Sequence, residues 1–129
     1  MKSITKEWLD RASDDLETIE QLLDQEHLTN IIVFHAQQAV EKTFKGVIEE
    51  FALGFVKTHD LVRLYELVKP HYALVDDIEM LEQLDAAYTE SRYPDNVGFL
   101  PYGKPSVGEA KRMYSFAKKV YQQIKNQLQ

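Results

Sequence analysis

The residues with the most evident chemistry lie around position 92. Tyr88 and Arg92 are four residues apart, which places them on one face of a helix, and Tyr93 and Asp95 flank Pro94 just beyond. A guanidinium held beside two phenols at a helix end is suited to contact a phosphate or a base. An ion pair between Arg92 and Asp95, or a bond from Arg92 to a carbonyl at the helix end, is equally compatible with this spacing.

Polar side chains also interrupt an apolar run centred on residue 40, namely Gln37, Gln38, Glu41, Lys42 and Lys45. Gln38, Lys42 and Lys45 share one helix face, and Glu41 lies four residues before Lys45, the favoured order for an ion pair. On a groove edge, the two ammonium groups would bind a phosphate. A surface stripe with one weak ion pair explains the same residues, so both interpretations stay open.

Thr58, His59 and Asp60 stand where a helix is expected to begin. The free N–H groups and the positive dipole end at such a place favour an anion. Because Asp60 already supplies a negative charge there, capping explains the tripeptide unless His59 turns inward. His59 remains a candidate binding residue.

Most catalytic and metal-binding patterns are missing from the sequence. It contains no cysteine, no glycine-rich phosphate loop before a helix, and no H-E-x-x-H, G-x-S-x-G or calcium-loop pattern. Its four histidines never stand four residues apart around a carboxylate. Asp14 and Asp15 are adjacent, so they would point about 100° apart on a helix and are expected on a solvated face. We therefore predict no metal, no cofactor and no catalytic residue.

The chain has 129 residues and a net charge of −6, and both values bound its function. Its length corresponds to one domain, residues 1–129. Residues 1–30 hold three basic and eight acidic side chains, whereas residues 106–129 hold five basic and one acidic. An acidic whole argues against broad binding to duplex nucleic acid. The basic final segment would suit an acidic partner or single-stranded RNA, although a solvated helix face explains it as well.

The sequence shows no signal for a membrane or for export. No apolar run approaches the roughly 18 residues needed to span a bilayer, and the N-terminal segment is charged throughout. The absence of cysteine gives no sign of an oxidising compartment. We predict a cytoplasmic protein.

Apolar residues recur every three to four positions along most of the chain, a pattern that predicts helices. The first helix is expected at about residues 5–25. The second is expected to begin at Thr29 or Asn30 and to end at Gly54. A short third helix is expected between a cap at Thr58 and Pro70.

Two further helices are expected in the second half of the chain. One begins at Asp76 or Asp77 and ends before Pro94. The last begins at a capping box formed by Ser106 and Glu109. Residues 93–105 between them are rich in proline and glycine and are expected to form the longest loop.

Helices joined mostly by short connections predict an all-α fold, an antiparallel four- to five-helix up-and-down bundle. The second and last helices carry apolar residues over nearly half of their circumference. A single four-helix core needs less than that from each helix, so a second copy would cover the surplus. We predict a homodimer.

Four segments resemble the HEPN domain family. They are W-L-x-x-A at Trp8 to Ala12, A-Q-Q-A-V-E-K-T-F-K at Ala36 to Lys45, K-T-H-D-L at Lys57 to Leu61 and Y-x-x-x-R-Y-P-D at Tyr88 to Asp95. Each segment is weak alone, but together they cover nearly the whole chain in the right order. The resemblance implies a dimerising bundle of four to five helices, commonly encoded beside a minimal nucleotidyltransferase as half of a prokaryotic toxin–antitoxin-like pair.

The resemblance also bears on catalysis, because many HEPN proteins are metal-independent ribonucleases. Their dimer interface joins two copies of an arginine that is followed, after four to six intervening residues, by a histidine. Arg92 matches the arginine, but the histidine positions hold Val97, Gly98 and Phe99. The side chain best suited to take a proton from a ribose hydroxyl near neutral pH is therefore missing.

Two functions follow as hypotheses. In the first, the chain is a dimeric nucleotide- or RNA-binding subunit that partners a nucleotidyltransferase and is not an enzyme on its own. Its binding residues are Lys42, Lys45, His59, Arg92, Tyr93 and Asp95. In the alternative, the chain is a metal-independent ribonuclease with a degenerate motif, in which His59 replaces the missing histidine. A third reading keeps the dimer and has no ligand.

Overall fold

A computed structural model describes residues 1–72, 77–91 and 104–129, without the side chains of residues 90 and 91. These residues form five α-helices and a short 3₁₀ turn at Glu26–Leu28. The helices are α1 (Ser3–Leu22), α2 (Thr29–Glu50), α3 (Leu61–Val68), α4 (Ile78–Ser91) and α5 (Val107–Leu128). The described residues contain no strand, which confirms the predicted all-α class.

Helices α1 and α2 form an antiparallel pair. At one end of the pair, the backbone N–H of Lys2 donates to the Glu50 carboxylate at 2.9 Å. Further along, Asp15 on α1 reaches His35, near the start of α2. Gly46 lies at a close approach of the two helices, since a Cβ built there would stand 3.4 Å from Trp8 Cβ.

Helix α2 ends earlier than the sequence predicts. The expected end is Gly54, but the last helical residue is Glu50, and Ala52 takes a left-handed conformation with φ of 51°. The N–H groups of Ala52 and Leu53 donate to the carbonyls of Glu49 and Ile48, which satisfies two free carbonyls of the last turn. The chain therefore turns away from the helix axis at Ala52, before it reaches the glycine.

The starts of α3 and α4 are each set by an aspartate. The cap of α3 is Asp60, whose carboxylate accepts from the N–H groups of Val62 and Arg63, and not the expected Thr58. Thr58 instead accepts from the N–H of Asp60. At α4, the Asp77 carboxylate accepts from the N–H of Met80.

The predicted capping box of α5 is present. Ser106 Oγ accepts from the N–H of Glu109 and donates to the Glu109 carboxylate. The loop predicted at residues 93–105 lies outside the described residues except for its last two positions.

Helix α2 is the centre of the bundle and packs against all four other helices. It buries Thr29, Ile32, Val33, Ala36, Gln37, Ala39, Val40, Glu41, Thr43, Phe44, Gly46, Val47 and Ile48. The broad apolar surface of α2 is therefore used within one protomer and does not require a second copy. The dimer stays a prediction. Within the described residues, no helix has both the length and the apolar character that crossing a membrane requires.

Candidate functional site

A buried carboxylate of α1 holds two basic side chains of α2. Asp15 is 6% exposed, and its two oxygens lie 2.7 Å from His35 Nδ1 and 2.7 Å from Lys42 Nζ. The expectation of a solvated face is wrong for Asp15 and holds only for Asp14, which is exposed. Burial of the carboxylate makes the position of Lys42 well defined, because a buried ion needs its partners.

A second buried carboxylate, on α2 itself, repeats this arrangement. Glu41 is 4% exposed, with Oε2 3.0 Å from Lys45 Nζ and Oε1 2.8 Å from His59 Nδ1. The expected pair of Glu41 and Lys45 is present. It is not the weak ion pair of a surface stripe, since the Lys45 side chain is only 19% exposed.

Each carboxylate thus bridges one lysine and one histidine. We call these the Asp15 set (Asp15, His35, Lys42) and the Glu41 set (Glu41, Lys45, His59). Each set has no net charge when its imidazole is neutral and a charge of +1 when the imidazole is protonated. The two sets are neighbours because their lysines, Lys42 and Lys45, lie three residues apart on α2.

Gln37 links α2 to the backbone at His59, beside the Glu41 set. It is fully buried, and its amide donates to the carbonyl of His59 at 2.9 Å. The same amide lies 3.4 Å from Glu41 Oε1 and 3.5 Å from Asp85 Oδ1, at the outer limit of a hydrogen bond. Its oxygen accepts from Gln38. Gln37 therefore holds the backbone at His59 against α2.

Asp85 on α4 serves the start of α3, where it accepts from the N–H of Leu61 at 2.9 Å. Burial raises the pKa of Asp85 to about 6, and the neighbouring charge of Asp60 acts in the same direction. The hydrogen bonds from Leu61 and Gln37 lower this pKa but do not offset burial. The two aspartates share one helix N-terminus, which explains why their charges oppose each other.

This pKa predicts a pH-dependent stability difference between the native chain and Asp85→Asn. Because the folded pKa lies above the unfolded value of about 4, the stabilising contribution of protonated Asp85 is complete below about pH 4 and lost as pH rises through about 6. As pH rises from about 4 to about 6, the free energy of unfolding of Asp85→Asn should therefore increase relative to that of the native chain. The expected increase is about 1–2 kcal/mol, because Asp85 is only half-buried. Urea denaturation of both proteins at several pH values measures this, and parallel profiles would contradict it.

Aromatic rings connect the two sets. Phe34 lies 5.2 Å from the ring of His35 and 5.4 Å from that of Tyr88, and Tyr88 lies 6.0 Å from His59. The two imidazoles therefore stand at the ends of one row of rings. Tyr88 is four residues before Arg92, but Arg92, Tyr93 and Asp95 lie outside the described residues.

The candidate residues line three different clefts. His59 lines a cleft of about 720 Å³ together with Asp60, Glu82, Asp85 and Tyr88. Lys42 lines a second, smaller cleft, and Lys45 lines a third. Lys42 and His59, two of the candidate binding residues, thus line different clefts, and the His59 cleft is acidic.

Sequence reasoning missed Asp15, His35 and Asp85. A signal for Asp15 was present, since it lies three residues after Ala12 and four before Ile19, within the apolar stripe of α1. No such signal existed for Asp85, whose partner Leu61 is 24 residues away. Within the residues that the structure describes, no three histidine, aspartate or glutamate side chains could together hold a metal ion.

The chain is thus a small all-α bundle whose central helix carries two lysines, each paired with a buried carboxylate. The chain belongs to the HEPN domain family, whose model matches residues 5–127. This match confirms the resemblance seen in the sequence.

Two solved structures share the fold. TT1696 from Thermus thermophilus is 25% identical with a TM-score of 0.78, over 97% of this chain and 98% of that one. ST0689, described as an archaeal HEPN homologue, is 24% identical with a TM-score of 0.71, over the full length of both chains. No curated protein matches the chain significantly.

Proposed function

We propose that this chain is the HEPN subunit of a prokaryotic toxin–antitoxin-like pair, a homodimer that partners a minimal nucleotidyltransferase and binds a nucleotide or RNA. The observation that supports ligand binding is the pair of lysines on α2, each held by a buried carboxylate. Lys42 Nζ lies 2.7 Å from Asp15, and Lys45 Nζ lies 3.0 Å from Glu41. A lysine has three donor hydrogens, so each can still donate to a phosphate.

Holding the lysines in advance favours binding. An exposed lysine loses side-chain entropy when it meets a ligand, at a cost of about 0.5–1.5 kcal/mol. Lys42 and Lys45 have already lost much of that freedom in the ion pairs. Arg92, placed one helical turn after Tyr88 by the sequence, would add a bidentate phosphate contact.

Fluorescence anisotropy with a labelled single-stranded RNA, and calorimetry with a panel of nucleotides, test the ligand. We expect binding that weakens with salt and falls about tenfold or more in Arg92→Ala, with a smaller loss in Lys42→Ala. Lys69→Ala is a matched control, because Lys69 is an exposed lysine just after α3, away from both sets. If no ligand gives heat or a change in anisotropy, the proposed ligand binding is wrong, and the third hypothesis, a dimer that binds no ligand, is favoured.

The partner is tested separately from the ligand. A minimal nucleotidyltransferase encoded beside this chain should co-purify with it, and sedimentation of the chain alone should give a dimer. If the chain sediments as a monomer and the nucleotidyltransferase does not co-purify with it, the proposed role as a subunit is wrong. The test of ligand binding is unaffected by that result.

One contact favours the ribonuclease alternative. Glu41 accepts from His59 Nδ1, which orients the ring and leaves Nε2 for proton transfer, the arrangement of a general base held by a carboxylate. Purified protein would then cut RNA in the presence of a chelator, and His59→Ala and Arg92→Ala would each lose most of that activity. The proposed binding function expects no cleavage. The acidic lining of the His59 cleft argues against cleavage there and against a phosphate contact by His59, since Asp60 and Glu82 repel a phosphate.

A further inference from the structure

Trp8 lines two clefts. One has a volume of about 250 Å³ and is lined by Ile4, Glu7, Trp8, Arg11 and Lys42. The other has a volume of about 170 Å³. Trp8, Lys45, Phe55 and Lys57 contribute to its lining, with Ile48 and Glu49. We call the two clefts together the Trp8 groove.

Most of the basic side chains of the Trp8 groove already have a carboxylate partner. Arg11 pairs with Glu7 at 2.9 Å, and Lys42 and Lys45 pair with the buried Asp15 and Glu41. Lys57 differs, since it has no carboxylate within ion-pair distance among the described residues, and its ammonium lies over the ring of Phe55. Lys57 is therefore the side chain of the groove best placed to contact an anion.

The aromatic side chains of the groove are each paired with a lysine. Phe55 is 84% exposed, the most exposed large apolar side chain of the described residues. Lys57 Nζ lies 5.8 Å from its ring centroid, and Lys45 Nζ lies 5.7 Å from that of Trp8. Rings that stack on a base, with ammonium groups beside them for the phosphates, are the usual elements of a single-strand binding surface.

We propose that the Trp8 groove binds single-stranded RNA, with bases stacked on Trp8 and Phe55 and phosphates contacted by Lys45 and Lys57. This inference rests on the proposed function and adds Trp8, Phe55 and Lys57 to its candidate binding residues. Apolar docking of a protein would explain Phe55, but not the ammonium groups that lie over the rings of Phe55 and Trp8. An exposed ring beside an ammonium group with no ion pair in the described part of the chain favours a ligand that is both flat and anionic.

Trp8 is the only tryptophan, so its fluorescence reports on the groove directly. Titration with a short oligoadenylate should quench it, and Phe55→Ala should weaken binding about fivefold or more. Lys57→Ala should also make the salt dependence of log K shallower by about 0.7, the value for one phosphate of a single strand. Phe55 and Lys57 are accessible side chains, so neither variant should change the denaturation midpoint.

Ile78→Ala and Lys69→Ala are the matched controls, one an exposed apolar and the other an exposed basic side chain elsewhere on the bundle. Both should bind as the native chain does. A rival surface exists on α5, where Lys118 and Lys125 lie over Tyr114 and Tyr121. If the Lys118→Ala, Lys125→Ala double variant loses binding and Phe55→Ala does not, the Trp8 groove is excluded.

Failure of this inference differs from failure of the proposed function. Anisotropy of a labelled oligoadenylate detects binding anywhere on the chain. Anisotropy could rise without quenching of Trp8 and respond to Arg92→Ala but not to Phe55→Ala. This result would show that the Trp8 groove is not the binding surface, while RNA binding by the chain would stand. No anisotropy change overturns both. A change in sedimentation of Phe55→Ala alone would show that the ring serves an interface between proteins, which also overturns the proposal.

Discussion

Replacing Asp15 with alanine is expected to lower the free energy of unfolding by about 2–3 kcal/mol. The change removes the carboxylate that accepts from both His35 and Lys42, and it leaves those two polar groups in a site where each is about three-quarters covered. Breaking a buried ion pair typically costs about 3–5 kcal/mol, and partial access to water reduces that figure here. Urea denaturation at neutral pH measures the loss as a lower midpoint at an unchanged slope.

Asp14→Ala is the matched control, since it removes the same carboxylate from the adjacent residue of the same helix. Asp14 is exposed, so its loss should change stability by no more than about 0.5 kcal/mol. Asp15→Asn keeps the shape of the side chain and one acceptor oxygen. Its loss of stability should therefore lie between those of Asp14→Ala and Asp15→Ala. Equal stabilities of Asp14→Ala and Asp15→Ala would mean that the Asp15 set contributes nothing.

The other large effect is expected at Gln37. Gln37→Ala should cost about 3 kcal/mol, because it opens a cavity in a fully buried position and leaves the carbonyl of His59 without its donor. Gln37→Leu keeps most of the volume and should lose only the contribution of the hydrogen bonds, about 1–2 kcal/mol. The difference between the two variants separates packing from hydrogen bonding.

Gln38→Ala serves as the comparison for Gln37. Gln38 is half-buried and donates to Gln37 and Glu41, so we expect less than about 1 kcal/mol. In Gln37→Leu the NMR signals of His59 should also shift, since the backbone there loses its tether to α2. Unchanged His59 signals together with native stability would show that Gln37 does not hold this segment.

Helix positions and several ends could be predicted from the sequence because they depend on neighbours a few residues apart. The Ser106 and Glu109 box is an example, since both bonds form within one turn. The end of α2 was misplaced at Gly54 because a left-handed alanine at position 52 violates the usual preference for glycine. At α3, two capping residues stood close together, and local rules alone did not separate Thr58 from Asp60.

The candidate site was predicted only in part. The pair of Glu41 and Lys45 follows from helical spacing, and the structure shows it. Lys42 was identified, but its partner on α1 was not, because Asp15 is 27 residues away and a pattern along one helix contains no information about its neighbour. For the same reason, the sequence did not indicate that Lys42 and His59 line different clefts.

The sequence by itself determined the all-α class and the family, since periodicity and motif order are properties of the chain alone. Only the tertiary structure decided which carboxylate neutralises which base, and which aromatic rings stay accessible. Those outcomes depend on side chains from separate helices meeting when α2 is enclosed by the other four. Phe55 shows this most clearly, because only the packed chain reveals that its ring is left outside the core beside Lys57.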